Sequence, residues 1–340
     1  MKFIILTALV LLTSCQKITE KLTKKQYFIF GTIIEVLVWH NNSETVSHAL
    51  NDVEKELNGM HTQWHAWKAG RLYEVNEALR SGKSFILTDE EAKFIKSTAL
   101  LSQQSLGHFN PAIGELINLW GFHSDDYPIT APPPSNIEIE HFLLNTPKMS
   151  DIIIVNNQIT SINQNIWLDF GGVAKGYAID KAINIIKNYG IKNAIVNAGG
   201  DLRSIGKKDD KNWKVAIRKP NSEDVLAIIS VEGDESIFTS GNYERYKEFD
   251  GKRYAHIINP TTGYGVKEIV SATVITDNGT KADAAATALI VAGTKEWQKA
   301  AQSMGLDQVL MIKADGTCEA TEKMMTRLEQ SDLNCTILEQ

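Results

Sequence analysis

Apolar positions recur along this chain with two distinct periods. From Glu44, the residues Val46, Leu50, Val53, Leu57 and Met60 follow at steps of four and three, the spacing of one face of a helix. A second helix is predicted from Asp89, an N-cap candidate, to a stop at Gly107. A third runs from about Val173 to Tyr189 and is ended by Gly190. An alanine-rich helix spans about Lys281 to Ala292. Between them lie short β-branched or alternating runs, which predict strands. FIFGTIIEVLVW (Phe28 to Trp39) reads as one strand with a glycine near its start, and IIIV (Ile152 to Val155), Asn156-Asn157 and QITSI read as a hairpin. The C-terminal half alternates AIVNA, WKVAIRK, AIISVEG, SIFTSG, YAHIINP and SATVITD with turns. Pro132-Pro133-Pro134 forbids regular structure within the stretch from Tyr127 to Asn136. Strands mixed with a few helices, without regular βα alternation, predict an α+β fold with largely antiparallel sheets and packed helices.

One apolar run has no period. Lys2 precedes Phe3 to Leu12, and Leu12-Thr13-Ser14 leads into Cys15. The run is too short to span a bilayer and reads as a signal peptide over residues 1–14. Leu12-Thr13-Ser14-Cys15 looks like a lipobox, in which Cys15 is lipidated and becomes the new N-terminus. The polar, lysine-rich stretch Gln16 to Gln26 reads as a tether, so residues 15–26 form an anchor segment and 27–340 the folded body. The expected location is outside the cytoplasm, on a membrane facing the periplasm or the cell exterior.

Composition narrows the partners. Hydrophobic residues at 43% and charged residues at 22% fit a globular body with a sizeable core. A net charge of −6 argues against nucleic acid, whose phosphates need clustered Lys and Arg. Cys318 and Cys335 lack metal-ligand spacing and can pair or stay free in an oxidising compartment.

Four segments are candidates for chemistry. In WLDFGGVAKGYAID a strand predicted to end at Asp169 meets the Gly171-Gly172 turn, and a helix opens with Lys175 in its first turns. Such a junction lets backbone approach a ligand, and the helix N-terminus with Lys175 suits phosphate. A structural turn is the competing reading. NAGGDLRSIG places Asp201 after a second glycine turn, where it either serves a site or satisfies local amides. TSGNYERY and KRYAHIINPTTGYG bring in His256, which reads as mid-strand; residue types alone favour a structural histidine over a base. In KADAAATAL, Asp283 and Thr287 share a helix face, an all-oxygen pair that suits a hard cation such as Mg²⁺. By itself that pair is equally a first-turn acid and a packed threonine.

Taken together and in this order, the four segments resemble the ApbE family of FAD:protein FMN transferases. The likeness extends to Phe30-Gly31-Thr32, HTQWHAW around Trp64 and GHFNPAIGELINLWGF from Gly107 to Phe122. It implies a T-fold-related body of two subdomains with FAD bound between them as substrate. It implies Mg²⁺ held by Asp283, Thr287 and the carbonyl of Gly172. Flavin-nucleotide contacts are implied for Phe30, Asp169, Lys175, Asp201, Ser240, Gly241, His256 and Ile257, and for His108, Phe109 and Asn110, where many relatives carry Ala-Phe-Asp. Asn242 and the tryptophans 64 and 67 are further candidates, the tryptophans for stacking or for the core. His256 is implied as the base that lets an acceptor threonine attack the FMN-side phosphorus, with AMP leaving. The implied acceptors are exported flavoproteins such as subunits of membrane redox complexes. Hydrolysis of FAD to FMN and AMP, and flavin binding without chemistry, are the alternatives.

Overall fold

The structure, a computed structural model, describes residues 21–329 apart from 126–128, 221, 223, 232 and 244, together with 333–338. The signal segment, Cys15 and Gln16 to Glu20 lie outside the described residues, as do Tyr127 and Pro128 of the proline-rich stretch.

A nine-stranded sheet forms the backbone of the fold. Its strands run, edge to edge, Lys21–Ile29, Thr32–His40, Ala194–Ala198, Asp201–Ile205, Glu235–Gly241, Ile269–Thr276, Val309–Lys313, Cys318–Thr321 and Thr336–Leu338. All neighbours are antiparallel except the last pair. Three smaller antiparallel sheets complete the strands. Eight α-helices are present among the described residues: α1 (Ser43–Gln63), α2 (Arg71–Arg80), α3 (Asp89–Gln104), α4 (Gly114–Leu119), α5 (Asn136–Leu143), α6 (Ala174–Asn188), α7 (Gly279–Ser303) and α8 (Glu322–Arg327). The α+β class with largely antiparallel sheets is what the sequence predicts. No described helix is long and apolar enough to cross a membrane.

Alternation in the sheet sets the layers. Ile34, Val36 and Val38 point to one face and pack with Val53 and Leu57 of α1 and Ile179, Ile183 and Ile186 of α6. The opposite face buries Leu202, Ile237, Leu310 and Ile312 against Trp213, Ile217 and Ile229 of a small sheet. Cys318 and Cys335 form a disulfide within this second layer.

Several predicted boundaries move. Phe28 to Trp39 is not one strand: Phe30 and Gly31 take positive φ (57° and 71°) and turn the chain, so Lys21–Ile29 pairs back on Thr32–His40. Residues 21–26 therefore belong to the sheet rather than to a tether. This is an edge strand, and its outward Lys24 and Gln26 are matched by Glu35 across the pair, so its polarity hides the strand. The N-cap of α3 is Thr88, which forms a capping box with Glu91; Asp89 is the first helical residue. The alanine-rich helix is longer at both ends and breaks at Gly293 (φ 66°, ψ −171°), next to the predicted end. The predicted Asn156-Asn157 hairpin is present, with both residues at positive φ.

Candidate active site

The site is built where two glycine-bearing backbones approach each other. Trp167 N–H donates to Ala112 O (3.2 Å), Asp169 N–H to Pro111 O (2.8 Å) and Gly114 N–H to Trp167 O (2.8 Å), so GHFNPAIG lies along WLDFGG. This is one bridge rather than the predicted strand. The side chain of Asn76, on α2, both donates to Leu168 O (2.9 Å) and accepts from Leu168 N–H (2.7 Å). That clamp fixes the residue before Asp169.

From Asp169 the chain turns through Gly171 and Gly172 into α6. Position 172 is closely packed: a Cβ there would sit 3.2 Å from Thr287 Oγ1 and 3.4 Å from the Phe109 ring. Four residues on, Gly176 touches Gly279 at the start of α7, where a Cβ would lie 2.2 Å from Gly279 O. This contact brings α6 and α7 together so that Asp283 Oδ2 accepts Gly176 N–H (2.8 Å). Asp180 reinforces the crossing: it accepts from Gly279 N–H (2.9 Å), Thr280 N–H (2.8 Å) and the Thr280 hydroxyl (2.7 Å), and pairs with Arg203.

Two cavities flank this junction. The smaller, about 290 Å³, is lined by His108, Phe109, Asn110 and Ile257 on one side and by Ser240, Gly241, Asp283 and Thr287 on the other. The larger, about 990 Å³, is lined by Phe28, Phe30, Met60, His61 and Trp64. Both share Trp67, Asp169, Gly171, Lys175, Arg245 and His256. The structure thus brings together the residues that four separate segments contribute. Asp201 stands just behind, pairing with Lys175 and accepting Thr239 N–H (2.9 Å). Asn242 serves the backbone instead, donating to Ile269 O (3.1 Å). Asn110 is likewise engaged by the backbone, donating to Pro147 O and accepting Ala112 N–H. Trp64 packs edge-on against Phe94 and lies near-parallel to Tyr177, so it is core as well as cavity wall.

His256 is not mid-strand. It follows Lys252–Ala255, in a bend, which frees its ring to face the cleft. Its Nδ1 lies 2.8 Å from the carbonyl oxygen of Arg245. A carbonyl only accepts, so Nδ1 carries the proton and Nε2 presents a lone pair. Burial pushes the imidazole pKa down to about 4; Arg245 and Lys175 act in the same sense, against the carbonyl bond and Asp169. The ring is neutral at physiological pH, as a proton acceptor must be.

The acid Asp283 is buried, and burial pushes its carboxyl up to about 7, with Asp201 and Asp180 adding to the effect and Lys175 opposing it. Its Oδ1 receives no hydrogen bond among the described residues. Asp283 and Thr287 both line the smaller cavity with the Gly172 backbone beside Thr287, an all-oxygen set that fits a hard cation. The described residues hold no group of three His, Cys, Asp or Glu side chains. A Mg²⁺ ion needs no such group, since it takes one or two carboxylates and completes its shell with water and phosphate oxygens.

Two residues here escape sequence reasoning. His123, in the loop after α4, sets Nε2 2.8 Å from Asp169 Oδ2 while Gly171 N–H donates to Oδ1 (2.8 Å). Its buried ring stacks on Trp67, centroids 4.5 Å apart at 14°. Burial pushes the Asp169 carboxyl up, but the His123 contact and Gly171 outweigh it and leave the pKa lowered. Arg245 lies inside the quoted TSGNYERY, yet nothing in the sequence distinguishes its guanidinium from a surface charge.

Comparison with known proteins gives a consistent result. A model described as the ApbE family matches residues 30–310. An FAD:protein FMN transferase from Rhodobacter capsulatus is 38% identical over 303 residues, 89% of this chain; the chain spans 58% of that relative's length. One of the same name from Vibrio cholerae is 27% identical, with 91% of this chain and 93% of the relative covered. Among solved structures, the ApbE protein of Thermotoga maritima superposes with a TM-score of 0.82 at 27% identity, covering 91% of this chain and all of that one.

Proposed function

The chain belongs to the ApbE family, and on that footing we propose that it is an FAD:protein FMN transferase acting on a threonine of an exported flavoprotein. The observation that carries this reading is the wall shared by the two cavities. One cavity is small and largely apolar, the other large and open, and their common wall holds Lys175, Arg245 and His256, with Asp283 and Thr287 adjoining. A dinucleotide with a ring system in each cavity brings its pyrophosphate to that wall.

Asp283, Thr287 and the Gly172 carbonyl are the groups that would hold Mg²⁺. When bound, the ion neutralises charge on the pyrophosphate oxygens. The rest falls to the protein's own residues. Lys175, in the first turn of α6, offers a cation and the helix N-terminus to phosphate. Asp169, fixed by His123 and Gly171, presents an acceptor to the nucleotide. His256 takes the hydroxyl proton on Nε2 as the threonine oxygen attacks the FMN-side phosphorus. The bond to the bridging oxygen breaks, its electron pair stays with AMP, and FMN remains joined to threonine by a phosphoester.

Lipid on Cys15 would hold the chain at a membrane, near acceptors such as subunits of membrane redox complexes, and so raise their effective concentration. The Cys318–Cys335 disulfide supports an exported location, since such bonds persist in oxidising compartments. The test is to incubate the full chain with FAD, Mg²⁺ and a threonine-bearing flavoprotein domain, then read flavin fluorescence in a denaturing gel. A fluorescent acceptor band is expected. Free FMN and AMP without labelling would identify a hydrolase, and intact FAD a binding protein.

A further inference from the structure

The wall between the two cavities carries two cations that differ in what they already hold. The Lys175 ammonium pairs with the Asp201 carboxylate. Arg245 has no such partner among the described residues. One terminal nitrogen of its guanidinium donates to two neutral acceptors, Phe122 O and Ser124 O, each at 2.9 Å. Its Nε and its other terminal nitrogen donate to no acceptor among the described residues. Asp125 and Asp169 feel its charge, but neither forms an ion pair with it. The same residue's carbonyl accepts both the His256 Nδ1–H (2.8 Å) and the His256 backbone N–H (3.2 Å). Base and guanidinium are therefore mounted on one residue, one through its backbone and the other through its side chain.

A planar guanidinium with one end fastened and the other open is preorganised for an anion with two adjacent oxygens. We propose that Arg245 is a catalytic residue of the transfer, its free N–H groups donating to phosphate oxygens of the FAD pyrophosphate laid across the shared wall. The inference rests on the transferase reading. During the step the hydroxyl oxygen bonds to the FMN-side phosphorus, its proton passes to His256 Nε2, and the pair of the broken bond stays on AMP. Arg245 keeps all its protons and stabilises the charge that grows on the phosphate oxygens. Phe122 O and Ser124 O hold the guanidinium in place beforehand, so little reorganisation is required when that charge appears.

Two variants separate this from a structural role. Arg245→Met keeps the backbone carbonyl that orients His256, and Arg245→Lys keeps the charge without the fork. AMP release from FAD is measured with Mg²⁺ and acceptor domain present, and the affinity of metal-free protein for inorganic pyrophosphate by calorimetry. The Met variant should lose about 100-fold in kcat, the scale of removing one preorganised donor. It should also bind pyrophosphate about tenfold more weakly, as for a lost charge-assisted hydrogen bond. Lysine should restore part of both, and the His256 imidazole resonances should stay in place. A Met variant within about threefold of the unaltered chain in both measurements overturns the assignment. An unaltered chain that leaves FAD intact overturns the transferase reading and the catalytic role with it, while pyrophosphate affinity still reports whether Arg245 binds phosphate.

Discussion

Gly176→Ala tests the physical basis of the site without touching a candidate reacting group. The new Cβ would stand 2.2 Å from Gly279 O, 2.6 Å from Gly279 C and 2.8 Å from Asp283 Cβ. The first two are backbone atoms of α7 and cannot rotate aside. Restoring van der Waals contact requires α6 and α7 to separate by about 1 Å, at an overpacking cost of roughly 1–3 kcal/mol. The same displacement stretches the 2.8 Å bond from Gly176 N–H to Asp283 Oδ2 and forfeits about 1 kcal/mol more. A loss of about 2–4 kcal/mol lowers Tm by roughly 3–6 °C in a domain of this size. Asp283 moves with α7, so Mg²⁺ affinity should fall by about tenfold, the scale seen when a ligand loses its supporting bond. Gly31→Ala is the control: its Cβ meets nothing within 4 Å, and its φ of +71° costs only about 1–2 kcal/mol at a turn that holds none of the groups proposed to bind Mg²⁺. Thermal unfolding followed by circular dichroism and Mg²⁺ titration calorimetry read the two effects. A Gly176→Ala protein that matches Gly31→Ala in Mg²⁺ affinity would refute the claim that this helix contact positions Asp283.

Other expectations follow from the same geometry. In the metal-free chain, ¹⁵N NMR of His256 should show the Nδ1–H tautomer and a pKa near 4; titration near 6.5 would remove the carbonyl and burial argument. Between those values the unfolded chain binds a proton that the folded chain does not. Through His256, then, stability rises with pH across that window, by at most about 3 kcal/mol, and denaturant unfolding of His256→Ala should show the rise reduced. His123→Phe keeps the stacking on Trp67 but not the bond to Asp169, whereas His123→Gln can keep a donor. FAD affinity should fall about tenfold in the Phe variant and recover in the Gln variant, as for one hydrogen bond to a carboxylate; equal affinities would mean that His123 only fills space. Cys318→Ala should cost about 3 kcal/mol of stability, from its 17-residue separation to Cys335, and leave transfer intact; lost transfer at a temperature where the variant is folded would contradict that.

What was legible in the sequence depended on locality. The helix of Val46, Leu50, Val53, Leu57 and Met60 declares itself because its buried face repeats within the segment. The strand Lys21–Ile29 does not, because an edge strand needs no apolar face where Glu35 meets its lysine and glutamine. Short α2 escaped notice although Leu72, Val75 and Leu79 are buried, since ten residues give the period little room. The same holds at the site. Gly171-Gly172, Lys175, Asp283 and Thr287 stand out as local motifs, and the resemblance ordered them. His123 and Asp169 are 46 positions apart, and Arg245 becomes distinctive only when Phe122 O and Ser124 O fix its side chain. Their roles exist in three dimensions alone.

The most direct test of the account is mass spectrometry of an acceptor domain after reaction with FAD and Mg²⁺, using the unaltered chain and Asp283→Ala in parallel. The account predicts FMN joined by a phosphoester to a single threonine, AMP formed in equal amount, and neither product with Asp283→Ala. An unmodified acceptor, or FMN transfer that persists without the Asp283 carboxylate, would contradict it.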